Sequence, residues 1–157
     1  MGRQGPIGRI PPLLGPARIA WMVLTGVAVV GGWPLPGCAE QAKSIGLELN
    51  KLEQQGGNCR AYLVVANPGP AAFSGFTLDL VLFDRGGTIA RRLAVDIAPV
   101  RPEKTMVKVF DIPETACGAI GSILVNDVLH CRDASGDVAG CVDRITPSSR
   151  ISVHLSK

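Results

Sequence analysis

The chain has 157 residues, of which 46% are hydrophobic, only 4% are aromatic, 19 are glycine and 12 are proline. This leaves room for one domain with a modest aliphatic core, and it excludes a helical bundle, because long charged or Ala/Leu-rich helical runs are missing. The net charge of +3 resides in Arg3, Arg9 and Arg18, while from Glu40 onward thirteen Lys/Arg balance thirteen Asp/Glu without blocks, which excludes a nucleic-acid footprint.

Residues 1–18 are basic and carry no acid, and Ile19 to Val30 (IAWMVLTGVAVV) form an apolar run of the length of a signal-peptide core, short of the roughly twenty residues a spanning helix needs. Gly37 and Ala39 then place small residues before a cleavage after Ala39. Residues 1–39 are therefore read as a signal helix or membrane-anchoring leader. Leu35-Pro36-Gly37-Cys38 offers a second reading, in which Cys38 is lipidated; Pro36 stands where that pattern prefers a small residue. Membrane contact is expected only through the leader, if it is uncleaved or lipidated. No twin arginine precedes the apolar run, so export as an unfolded chain is expected.

From residue 43 to 157 the pattern is that of strands. Ile45 to Leu49 alternates, with Ile45, Leu47 and Leu49 on one face. QQGGN (residues 54–58) is a turn. Cys59 to Ala66 is more continuously apolar, as for a strand covered on both sides, and Asn67-Pro68-Gly69-Pro70 stops it. In Phe76 to Phe83 the even positions Phe76, Leu78, Leu80 and Leu82 face a core while Thr77 and Asp79 look outward. A glycine turn at residues 85–87 leads into a strand whose odd positions Ile89, Leu93, Val95 and Ile97 point inward; Arg91 breaks the pattern and marks an edge or a bulge. A proline-bounded crossing, Ala98 to Glu103, precedes Thr105 to Ile112, where both parities are apolar and the inward face is open. Ser122 to His130 is a sixth strand, and the alternation of Ile151, Val153 and Leu155 makes a terminal seventh. Seven short strands with regular turn signals predict an all-β, immunoglobulin-like antiparallel β-sandwich.

LVLFDRGG, residues 80–87, preceded by Asn67-Pro68-Gly69, resembles the FxLYD type of bacterial immunoglobulin-like domain. Leu82, Asp84 and Gly87 match that pattern, whereas Leu80 and Phe83 stand where the family has phenylalanine and tyrosine. More broadly, residues 43–157 resemble small exported alphaproteobacterial proteins often labelled Tat pathway signal sequence domain proteins. The resemblance implies an exported sandwich and brings no catalytic residues.

Apart from Cys38, four cysteines remain: Cys59, Cys117, Cys131 and Cys141. An even count in an exported chain implies two disulfides, and four cysteines allow three pairings. An extended Ser122 to His130 spans roughly 30 Å and separates Cys117 from Cys131, which removes one pairing. Of the rest, Cys59 with Cys117 and Cys131 with Cys141 is expected.

Reactive chemistry is sparse. His130 and His154 are the only histidines, and neither sits in an HExxH or CxxC frame. Asp133, Ser135 and Asp137 echo the opening of a calcium loop, but Val138 and Arg144 replace its glycine and glutamate. Ser74 and Ser122 lack a GxSxG frame, and Glu103 and Glu114 lie in loops. No cofactor, metal or catalytic residue is expected. The chain reads as an exported, periplasmic or secreted, non-enzymatic module that binds a protein or envelope component, with residues 67–74 and 132–140 as contact loops. The alternative is a metal- or small-molecule-binding protein using His130, His154 and the acidic loop.

Overall fold

Alternation of buried and exposed side chains builds strands that stack into two layers. The computed structural model describes residues 44–157; the leader, with Cys38 and the cleavage expected after Ala39, lies outside the described residues. The strands are β1 (Ile45–Gln55), β2 (Asn58–Asn67), β3 (Gly75–Asp84), β4 (Ile89–Asp96), β5 (Lys104–Ile112), β6 (Ile120–Asp133), β7 (Gly136–Asp137), β8 (Ile145–Ser149) and β9 (His154–Ser156). Two 3-10 turns, Cys117–Ala119 and Cys141–Arg144, are the helical elements among the described residues. One sheet has the order β5-β2-β1-β8; the other runs β4-β3-β6-β7, with β9 also paired to β6.

The inner faces share one core, in which Leu47 and Leu49 of β1 and Leu63 and Val65 of β2 join Phe76, Leu78, Leu80 and Leu82 of β3 and Ile123 and Val125 of β6. The even-numbered face read from β3 is the core face, as period-two alternation requires. This is an all-β sandwich. It differs from the expected antiparallel arrangement of seven strands, because β1 pairs β8 and β6 pairs β9 in parallel. The expected terminal strand over Ile151, Val153 and Leu155 is in fact a split. Pro147 and the serines after it hide β8; the chain then bends through residues 150–153 into β9 on the other sheet. The serine hydroxyl at position 149 holds this bend, lying 2.7 Å from the Val153 carbonyl oxygen and 3.1 Å from that of Ile151.

Three further departures have local causes. Ile89 is 64% exposed instead of inward, because the β3–β4 register slips at Ala90 and turns the end of this edge strand over. The outer residues of β2 are half-buried, not covered. Asp79, expected to look outward into water, is only 2% exposed.

The hairpin turn is built by Asp84. Its Oδ1 accepts from the N–H groups of Gly86 (2.8 Å) and Thr88 (2.9 Å), and Gly87 takes a left-handed φ of 81°. Across the sheet, Gly121 lies so near this turn that a Cβ would come 2.3 Å from the Asp84 carbonyl oxygen, so only glycine fits.

Two disulfides join Cys59 to Cys117 and Cys131 to Cys141. The first ties the start of β2 to the segment just beyond β5; the second closes the β6–β7 hairpin onto the second 3-10 turn. Disulfides persist in oxidising compartments, so the pair points to a location outside the cytoplasm.

Candidate functional site

The residues singled out for chemistry do not converge. His154 pairs with Ser122 at one end of β6, and His130 follows eight residues later on that strand. The β3 residues opposite those two positions, Phe83 and Thr77, are six apart, so at about 3.3 Å of rise per residue the separation is about 20 Å. Asp133 Oδ1 accepts the Ser135 N–H at 2.7 Å, and Asp137 pairs with Arg132 at 3.0 Å, so the acidic loop is occupied in forming its own turn. Among the described residues no group of three His, Cys, Asp or Glu side chains could hold a metal ion.

The loop 67–74 is pinned, not free. Asn67 is buried; its Nδ2 donates to the carbonyls of Ala71 (2.7 Å) and Arg101 (3.1 Å), and its Oδ1 accepts the Gly69 N–H. Phe73 is a core residue, bridged to Val100 and edge-on to Phe76 with ring centroids 5.5 Å apart.

On the outer face of β3 and β4, Arg92 Nε and Nη2 each donate to the buried Asp79 carboxylate at 2.7 Å, and Asn126 Nδ2 donates at 2.6 Å. The Arg92 guanidinium holds the Asp79 carboxyl below the usual carboxylate range, against burial, with Asn126 acting in the same direction. The bidentate pair covers the carboxylate. This cluster is a structural clasp with every buried polar atom satisfied.

The outer face of the other sheet is different. Even positions of β5 turn inward, so that Met106 and Phe110 are half-buried, and the odd positions leave Val107 58% and Val109 51% exposed. Val107 lies directly opposite Val64, and Val109 opposite Tyr62. These four side chains make an apolar stripe on a solvent-facing sheet surface. Ion pairs frame it: Arg60 with Asp111 at 2.7 Å and Lys51 with Glu53 at 2.8 Å. Tyr62 donates its hydroxyl hydrogen to Glu53 at 2.9 Å, while the Lys51 ammonium sits 5.3 Å from its ring centre. The Lys51 ammonium, and then Tyr62, lower the Glu53 carboxyl.

The stripe continues to a free edge. β5 ends its sheet, and beside it the crossing 97–103 leaves a groove of about 230 Å³ lined by Pro99, Arg101, Lys104, Met106, Val107 and Lys108. Lys108 Nζ reaches the Ala98 carbonyl at 2.5 Å across this groove. Glu103, at φ 50°, donates its N–H to the Gly69 carbonyl at 3.0 Å and thereby fixes where β5 begins.

At the far end of the sandwich a wider hollow of about 520 Å³ opens beside Arg85, Cys117, Gly121 and Ser152. Arg85 Nε donates to the Gly118 carbonyl there. A smaller one, about 200 Å³, lies between the β3–β4 hairpin and residues 114–120, where Arg91 and Glu114 approach to 3.7 Å.

No protein-family model matches the chain, and no curated protein sequence matches it. Among solved structures the chain is similar to IrmA from Escherichia coli, with a TM-score of 0.50 and 12% identity over 67% of this chain and 91% of that one. At that identity the likeness concerns the fold alone.

Proposed function

We propose that this chain is an exported, non-enzymatic periplasmic module with an immunoglobulin-like sandwich, which binds a protein or another component of the cell envelope. The observation that carries this reading is the stripe Tyr62, Val64, Val107 and Val109, an apolar surface on the solvent side of a sheet. Burying such a surface releases about 25 cal/mol per Å² of apolar area, which a partner can recover and water cannot. The two disulfides support an oxidising site of action. The turn formed by Asp84 and Gly87 is in keeping with the FxLYD resemblance. Site-specific photo-crosslinking in envelopes tests the reading. A crosslinker at Val107 is expected to trap a discrete partner, and one at Ser135, on the exposed β6–β7 tip, is expected to trap none. Equal trapping from both positions, or none from either, would remove the reading.

A second reading, a small-molecule-binding module, is favoured by the 520 Å³ hollow and the exposed Ser152 on its wall. A ligand-induced rise in melting temperature that disappears in Ser152→Trp, which fills the hollow, would support it. Stoichiometric metal lost on changing His130 or His154 would displace both readings.

A further inference from the structure

The strands that end the sheets are protected unequally. β7 and β9, which share the edge beside β6, have only two and three residues. β8 has five residues with Pro147 at its centre, and β4 carries a register slip and two arginines. Proline, irregularity, shortness and edge charge are the usual devices that stop an edge from pairing with another chain. β5 has only the last: its nine residues pair with β2 in unbroken register from Lys104 to Ile112. Alternate residues of such a strand direct their N–H and C=O groups away from their partner, in position to receive another strand. What β5 does have is positive charge. Arg101, Lys104 and Lys108 line the groove along this edge, and none of them forms an ion pair among the described residues, Lys108 being bonded to the Ala98 carbonyl. The nearest acid in sequence, Glu103, borders a neighbouring hollow with Ala66 and Pro68, which Lys104 also lines without pairing with it.

Resting on the reading of this chain as a binding module, we propose that the free edge of β5 accepts an extended, acidic segment of a partner polypeptide as an added strand. Main-chain hydrogen bonds to β5 supply the affinity, and apolar side chains of the segment extend the Val107–Val109 stripe. Its carboxylates meet Arg101, Lys104 and Lys108. The same charges disfavour a second copy of this chain. An antiparallel β5–β5 pair centred on Met106 would set Lys104 directly against Lys108, and like charges opposite one another destabilise a ladder.

The test uses the protein recovered from the envelope after export, and two fluorescent peptides of about eight residues, long enough for one strand. One alternates valine with glutamate and the other valine with lysine. Fluorescence anisotropy at low salt is expected to show the glutamate peptide binding at least about tenfold more tightly, with the difference shrinking as salt screens it. Arg101→Glu with Lys104→Glu, both exposed and outside the core, is expected to invert the preference while the melting temperature holds. N-methylation of the glutamate peptide at one alternate set of amides is expected to abolish binding; methylation of the other set is expected to leave it, because a strand bonds β5 through one side only. Equal binding of both peptides, indifference to methylation in either set, or self-association of the chain in place of peptide binding would overturn the proposal. If the peptides fail while the crosslinker at Val107 still traps a partner, the acidic strand is refuted and the binding-module reading survives. If both fail, both fall.

Discussion

The outer faces of the two sheets solve the same problem in opposite ways. On β3 an odd, outward position holds Asp79, which Arg92 and Asn126 cover so fully that a carboxylate on a solvent-facing surface is 2% exposed. On β5 the outward positions hold valines that nothing covers. The first face closes over a charge by means of its own chain, and the second leaves apolar surface open beside an unpaired edge. A sheet's outer face is therefore not a passive boundary. Where the chain supplies cover it stabilises itself, and where it supplies none the surface is available to something else.

The largest expected effect concerns what keeps an uncovered edge strand attached. Cys59 lies opposite Ile112, the last residue of β5, and its disulfide to Cys117 anchors the segment that follows. Removing it with Cys59→Ala and Cys117→Ala is expected to cost about 2–4 kcal/mol in denaturant unfolding. In hydrogen exchange β5 amides should lose protection before those of β3; the reverse order would show that the open face does not depend on this staple.

Next comes the clasp. Arg92→Met is expected to lower the melting temperature more than Asp79→Asn, because the first leaves a buried carboxylate with Asn126 alone and the second leaves an exposed guanidinium in water. Equal losses would mean that the two sides are interchangeable. The pH dependence sharpens this. The Asp79 carboxyl is depressed in the folded chain, so its contribution is complete above the unfolded value of about 3.9 and is lost as pH falls through the lowered value. With Arg92 gone, burial raises that carboxyl and acid no longer removes the same contribution. The stability gap between the two proteins should therefore be widest near neutral pH and close on acidification below about pH 4. A gap constant with pH would detach Arg92 from the carboxylate.

The smallest effect on stability belongs to the open face. Val107→Ser with Val109→Ser is expected to change unfolding free energy by no more than about 0.5 kcal/mol, while abolishing the crosslink to a partner. A large loss of stability would show that the stripe is part of the fold after all.

The same contrast explains what could be read from the residues. The β3–β4 hairpin was legible because Phe76, Leu78, Leu80 and Leu82 repeat at period two and Asp84 precedes the glycines it holds. The length of one extended strand removed one of the three cysteine pairings, and of the two left the expected one is the one present. Asp79 misled because its cover, Arg92, is 13 residues away, and an outward parity says nothing of what later folds across it. Cys59 to Ala66 looked doubly buried because Tyr62 and Val64 belong to the stripe, and an apolar side chain awaiting a partner reads like one inside a core. The open parity of β5 has that same origin: Met106 and Phe110 serve the core, and Val107 and Val109 the surface. The strand β8 carries almost no pattern, since Pro147, Ser148 and Ser149 sit on a parallel edge where one buried residue, Ile145, anchors the pairing.

That edge sets a timetable. The β1 strand finds β8 only across a gap of 100 residues, the separation of the Leu49 carbonyl from the Ser149 hydroxyl that meets it, and the bend at Ser149 then hands the chain to the opposite sheet. A chain that emerges from its N-terminus therefore cannot shut its sandwich until residues 145–156 have followed. Distant pairings of this kind also form late in folding. The topology leaves the sandwich open until its last strands are present, and the step that locks the two sheets together waits for them.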